Sequence, residues 1–164
     1  APFSYFTVAS DVLPLVTVSI LRKEGKLKDT ARNLYQQKQA VVHIVSEDLV
    51  TEMNKTSASL PPNESEIALT NLTLLKSLSV NVPRIKEAKV QFETVLHQSF
   101  EIKDDEGNIV TDVFIMKVVY FHFDERVVDL DKGYVRSNEL KPVARLSGSQ
   151  YTGLGTIFTL DRPK

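Results

Sequence analysis

The chain has 164 residues and a formal net charge of −1, with 42% hydrophobic and 25% charged residues. That length suits one domain with its own core, and the balanced charge gives no electrostatic footprint for nucleic acid or an anionic membrane. There is no cysteine, which excludes a disulfide scaffold, thiolate metal ligation and a cysteine nucleophile.

No apolar run reaches the length of a membrane span, and no signal-peptide pattern opens the chain. A cytoplasmic location is the expectation. Sequons at Asn54, Asn63 and Asn71 are then read as chance matches. The chain opens Ala1-Pro2-Phe3 without an initiator Met, as expected where earlier residues have been removed or lie elsewhere.

Phe3–Ala9 is aromatic and β-branched and reads as a strand. Asp11 to Pro14 breaks it, and Leu15–Leu21 follows as a buried strand. Arg22 to Lys28 is a basic loop around Gly25, and Asp29-Thr30 offers an N-cap for a short helix over Ala31–Lys38. Val41–Val45 is another apolar strand. Ser46 is expected to cap a helix through Asn54, with Asp48 in its first turn and Leu49, Val50 and Met53 on its apolar face.

Thr56–Ser65, with a Pro-Pro pair, reads as loop, and Ile67–Leu75 as partly helical. Val90–Glu101 alternates, with Val90, Phe92, Thr94 and Leu96 on one face and Gln91, Glu93, Val95 and His97 on the other. Asp104–Asn108 is a hairpin turn rather than a calcium loop, because its Gly comes too early and the terminal Glu is missing. Phe114–Phe123 is a long strand expected to be covered on both sides. Thr156–Leu160 is the last expected strand. Many closely spaced strands with two or three helices predict a mainly β domain with short helices, built as a barrel.

Few residues carry obvious chemistry. Arg22, Lys23, Lys26 and Lys28 crowd the start of a helix, where free N–H groups and the positive dipole end suit a phosphate. A solvated basic turn with an ordinary cap explains the same residues, since no glycine-rich phosphate loop is present. His43 and His122 lie within apolar strands, so core or barrel positions fit them better than metal ligation, and no metal site is expected. No G-x-S-x-G elbow is present. Asp124, Glu125, Asp129 and Asp131 form an acidic, solvated loop. Ser147–Tyr151 is either a loop anchored by one Tyr or a flap whose Tyr lies against a planar ligand.

Several segments resemble one known family in order and spacing. They are Ala1-Pro2-Phe3-Ser4-Tyr5-Phe6, Pro14–Ile20, Lys28-Asp29-Thr30-Ala31-Arg32-Asn33, Ala40–Glu47, Met53-Asn54-Lys55-Thr56-Ser57 and Ala144–Tyr151, followed by Leu154-Gly155, Phe158 and Arg162-Pro163. The likeness is to the flavoredoxin-like branch of the flavin reductase-like domain proteins. It implies a Greek-key, FMN-binding split β-barrel that forms a homodimer, with FMN as cofactor and NADH or NADPH as co-substrate.

Carried over by position, Ala1, Pro2, Phe3 and Ser4 would run beside the isoalloxazine. Thr7 and Ser10 would add polar contacts, and Lys28, Thr30 and Arg22 would reach the phosphate. Asn54, Thr56 and Ser57 would line the groove edge, and Tyr151 would approach the flavin or the nicotinamide. The chemistry implied is hydride transfer from the nicotinamide to flavin N5, which demands no general acid or base from the protein. An FMN carrier or sensor without turnover, and a barrel that has lost its cofactor, are the alternatives.

The sequence departs from the family pattern in four places. His43 stands where Asn is usual, Asn71 where Gly is frequent, and Thr152 where a His often follows the Tyr. The strand and hairpin that normally precede the Ala-Pro-Phe segment are absent, so residues 1–164 are expected to be a single domain lacking that part.

Overall fold

The structure is a computed structural model, and it describes every residue except Asp11, Pro62 and Lys164. The expected break at Asp11 and the second residue of the Pro-Pro pair therefore lie outside the described residues. Five antiparallel strands form the main sheet, in the order β1-β2-β7-β6-β3. They are β1 (Phe6–Ser10), β2 (Leu15–Leu21), β3 (Gln39–His43), β6 (Val90–Lys103) and β7 (Ile109–Phe123). Helix α1 (Asp29–Gln37) joins β2 to β3, and α2 (Val50–Lys55) follows β3. Between α2 and β6 come a 3₁₀ turn (Glu66–Leu69) and the two-residue strands β4 (Leu74–Leu75) and β5 (Arg84–Ile85), which pair with each other. After β7 come β8 (Val128–Asp129), β9 (Tyr134–Val135), α3 (Ser137–Leu140), β10 (Ala144–Arg145) and β11 (Tyr151–Thr152).

The β6–β7 hairpin is the backbone of the fold. Its turn is set by Asp104, whose Oδ1 accepts the N–H groups of Glu106 and Asn108 at 3.0 and 2.8 Å. Gly107 takes the positive φ of 86° that closes the turn. Three register shifts in the pairing bend the hairpin, at Glu93/Thr94, Leu96/Gln98 and Ile102/Lys103. They also break the simple two-face alternation expected for Val90–Glu101. Val90, Gln91, Glu93 and Thr94 are all buried, whereas His97 is exposed.

The core lies between this sheet and α1. Val16, Ile20, Phe114, Met116 and Val118 pack with Ala31 and Leu34 of the helix. Tyr35 meets Phe114 edge-on, with ring centroids 4.8 Å apart. Its hydroxyl donates to Asp112 Oδ1 at 2.9 Å. Arg22 grips the same carboxylate with Nε and Nη2 at 2.9 and 2.8 Å, and also reaches Glu101 at 3.1 Å. Asp112 is fully buried. Burial alone would raise its pKa, but the hydrogen bonds from Arg22 and then Tyr35 outweigh burial and hold it below the usual carboxylate value. Tyr35 is pushed up to about 12 by burial and by its bond to Asp112.

A second buried carboxylate, Glu93, organises the outer loop. It accepts N–H groups from Leu78, Ser79 and Val80 at 2.8, 2.5 and 3.2 Å, and His122 Nε2 lies 2.6 Å away. Burial opposes its charge, but these donors keep its pKa below the usual value.

Several expectations need correction. β1 starts at Phe6 rather than Phe3, because Ser4 bends the chain and its carbonyl accepts the Phe6 N–H. β3 spans Gln39–His43 rather than Val41–Val45. Helix α1 begins at Asp29 and ends at Gln37. Its N-cap is Lys28 rather than Asp29-Thr30, and Asp29 pairs with Arg32 instead of capping. Ser46 does not cap α2. Its hydroxyl bonds Asp48, both precede the helix, and the cap position falls on Leu49. The segment Ile67–Leu75 resolves into the 3₁₀ turn and β4.

The second half of β7 is not covered on both sides: Val119, Tyr120, Phe121 and Phe123 are 40–44% exposed. Thr156–Leu160 forms no strand, and Phe158 and Leu160 are 77% and 80% exposed. β-propensity there finds no neighbouring strand to satisfy its backbone. No described helix is long and apolar enough to cross a membrane.

Asp112→Asn would leave Arg22 and Tyr35 facing a neutral group. A loss of about 3 kcal/mol in urea unfolding at neutral pH is expected. The folded-state pKa of Asp112 is depressed, so its contribution is complete above about pH 4 and is lost as pH falls through the folded value. The gap between the two proteins should therefore shrink on acidification below pH 4. A gap that stays constant to pH 2 would contradict the assignment.

Candidate functional site

One face of α1 is readable as a wall. Thr30, Asn33 and Gln37 recur at helical spacing, and all three border a cleft of about 970 Å³. Ala1, Pro2, Phe3 and Ser4 also line it, as do the apolar side chains of Phe6, Val18, Ile20 and Met116 from the sheet. Gln39 to His43 of β3 supply a further side, with Leu49, Met53 and Thr56 from around α2. The rim includes Ala144, Arg145 and Tyr151 of the β10–β11 hairpin. A large, mainly apolar cleft with a few polar groups is the usual form of a small-molecule site.

Of the residues expected at a ligand, Ala1, Pro2, Phe3, Ser4, Thr30, Thr56 and Tyr151 all line this one cleft. Thr56 is held there by its hydroxyl, which donates to the Met53 carbonyl at 2.7 Å. Asn54 does not line the cleft, but its Oδ1 accepts the Tyr151 hydroxyl at 3.2 Å and so tethers the rim hairpin to α2. Ser57 bonds the Asn54 carbonyl at 2.6 Å. Thr7 lies exposed on β1, and Ser10 Oγ accepts the Leu13 N–H at 3.3 Å; neither borders the cleft.

The anion end is simpler than the sequence implied. Arg22 is committed to Asp112 and Glu101 and does not line the cleft. Lys28 is exposed at the N-cap of α1, also outside the wall. No side chain caps α1, while Thr30 in its first turn borders the cleft. The first-turn N–H groups thus remain available beside an apolar chamber, a suitable arrangement for a phosphate.

Sequence reasoning missed the polar wall residues Asn33, Gln37, Gln39, His43 and Arg145. The first two were legible from the helical spacing of Thr30. His43 accepts the Ile85 N–H on Nε2 at 3.0 Å. Burial, reinforced by the Arg84 charge, pushes it down to about 4, so it is neutral at neutral pH with its proton on Nδ1. Among the described residues no cluster of three or more His, Asp or Glu could hold a metal ion.

The cleft suits a planar aromatic ligand with one phosphate. Much of its lining is apolar, the neighbouring helix start is uncapped, and no Asp or Glu is among its described wall residues. Tyr151→Phe should loosen the rim hairpin without unfolding the protein. The expected outcome is faster hydrogen exchange at residues 144–152, with a stability loss below about 1 kcal/mol. Unchanged exchange would show that the bond to Asn54 does not hold the hairpin.

Comparison with known proteins gives the family and the fold. Residues 1–138 match the model of the flavin reductase like domain. The uncharacterized protein YwrF of Bacillus subtilis strain 168 is 46% identical over 163 residues, covering 99% of this chain and 80% of that protein. The crystal structure of nitrilotriacetate monooxygenase component B from Bacillus cereus is 42% identical with a TM-score of 0.93, covering 98% of this chain and 78% of that one. A split barrel domain protein of Shewanella frigidimarina NCIMB 400 shares the fold, with a TM-score of 0.82 at 20% identity, covering 98% and 77%. The chain therefore belongs to the flavin reductase like domain family, and its mainly β fold is that family's split barrel.

Proposed function

We propose that this protein binds FMN in the cleft and acts as an NAD(P)H-dependent flavin reductase. The observation that carries the reading is the convergence of the Ala1–Ser4 segment, Thr30, Thr56 and Tyr151 on one apolar cleft beside an uncapped helix start. FMN, when bound, supplies the hydride-accepting ring. The protein's share is binding, orientation and exclusion of water. In this reading Phe3 and Phe6 help form the apolar bed for the ring. The first-turn N–H groups of α1, with Thr30 and the nearby Lys28 charge, take the phosphate. Tyr151 closes over the rim from its hairpin.

The name of the Bacillus cereus relative, a component of a monooxygenase, supports delivery of reduced flavin to a separate oxygenase. The protein is further read as a homodimer. The half-exposed apolar strip of Val119, Phe121 and Phe123 on β7 is the kind of surface that a second copy covers.

The direct test is NADH or NADPH oxidation with and without FMN. Flavin-dependent oxidation supports the reductase, whereas tight FMN binding without oxidation identifies a carrier or sensor. Lys28→Ala should weaken FMN binding roughly fivefold while leaving the thermal midpoint within a degree or so. Unchanged affinity would remove Lys28 from the site. Phe123→Glu should convert a dimer to a monomer in sedimentation; an unaltered sedimentation coefficient would place the interface elsewhere.

A further inference from the structure

The charge on the cleft wall is confined to one side chain. Among the described wall residues, Arg145 is the only Lys or Arg, and there is no Asp or Glu. Elsewhere in the fold, arginines are mostly neutralised: Arg22 by Asp112, Arg32 by Asp29, Arg126 by Asp124 and Arg136 by Asp129. Arg145 instead donates Nε and Nη2 to a backbone carbonyl, that of Gly148, at 3.3 and 3.1 Å. Its remaining N–H groups have no partner among the described residues. A guanidinium resting on a neutral carbonyl keeps its full charge and exchanges that contact readily for a phosphate, which it meets with two parallel hydrogen bonds.

The surroundings place this charge on a small mounted arm. β10 and β11 pair only with each other. Gly148, with φ of 60°, makes the turn between them and presents the carbonyl that holds the guanidinium. Tyr151, directly opposite Arg145 in the pairing, is tethered to Asn54. The cation and the aromatic ring therefore stand side by side at the rim.

The cleft thus has two features that prefer anions, carried by different elements: the uncapped start of α1 and Arg145. FMN carries one phosphate group. The cleft, about 970 Å³, is near the upper limit of the usual range for small-molecule sites, roughly 300–1,000 Å³. We propose that Arg145 is the anchor for the pyrophosphate of a nicotinamide dinucleotide, positioning the second ligand over the cleft; this rests on the flavin reductase reading for the identity of that ligand.

The test uses ADP-ribose, which carries the pyrophosphate but no nicotinamide, and adenosine, which lacks the phosphates. Both are titrated calorimetrically into the FMN-free and FMN-loaded full chain, alongside Arg145→Ala and Arg145→Lys. FMN affinity is measured separately by fluorescence quenching. Wild-type protein should bind ADP-ribose more tightly than adenosine. Arg145→Ala should raise the ADP-ribose dissociation constant roughly tenfold, with FMN affinity and thermal midpoint unchanged. Arg145→Lys should recover only part of the loss, because an ammonium cannot form the fork.

Equal binding of ADP-ribose by wild type and Arg145→Ala would overturn the proposal. So would a loss confined to FMN, which would assign the guanidinium to the flavin phosphate. A chain that binds no FMN yet loses ADP-ribose in Arg145→Ala would keep the anion anchor and refute the flavin reading. A chain that binds FMN with ADP-ribose binding unaffected by the variant would do the reverse.

Discussion

The carboxylate of Asp112 holds four elements in one place. It sits in β7, takes both nitrogens of the Arg22 fork just past β2, and accepts the Tyr35 hydroxyl from α1. Arg22 then reaches Glu101 on β6. A fully buried charge is costly unless paired and hydrogen-bonded, so this arrangement tolerates little displacement of its members. Its consequence for function is indirect but large. Tyr35 fixes the rotation of α1 about its own axis, and that rotation decides which helix face turns toward the cleft. With Ala31 and Leu34 against the sheet, Thr30, Asn33 and Gln37 form wall. Arg22, which looked like a phosphate ligand, therefore serves the scaffold that orients the cleft wall.

Glu93 plays a comparable part on the other side of the sheet. Three successive backbone N–H groups, from Leu78 to Val80, converge on it, and His122 lies beside it. That fixes a loop with almost no regular structure, and the same segment continues through Asn81, Val82 and Pro83 into the cleft wall. Two buried carboxylates, each satisfied by several donors, thus supply rigidity where short strands and two-residue ladders would not. The cleft itself is mainly apolar, and none of its described wall residues is Asp or Glu, so an anionic ligand meets no acidic side chain on the wall.

The sequence made the main sheet legible because β2, β6 and β7 are long, strongly patterned and bounded by turn residues such as Asp104 and Gly107. Cap assignments failed where a side chain had a better partner. Asp29 turned to Arg32, and Ser46 to Asp48, so neither satisfies helix N–H groups. The short strands β4, β5, β8 and β9 carry too few residues for any periodic signal. Thr156–Leu160 has strand composition without a neighbour, which local sequence cannot reveal. About half of the expected ligand residues line the cleft; the Thr30 helix start and Tyr151 were suggested by chemistry as well, whereas Ala1–Ser4 and Thr56 came from family likeness alone, since nothing in them suggests a ligand in isolation. Arg22 misled because basic loops before helices look alike whether their charges face a phosphate or a buried Asp ninety residues away.

The central claim is that the cleft holds FMN, and the absorption spectrum of the purified protein tests it most directly. Protein mixed with excess FMN and then passed through a desalting column should retain flavin bands at about one equivalent per chain, with quenched flavin fluorescence. Protein that emerges colourless, under conditions where its fold is intact, would contradict the account.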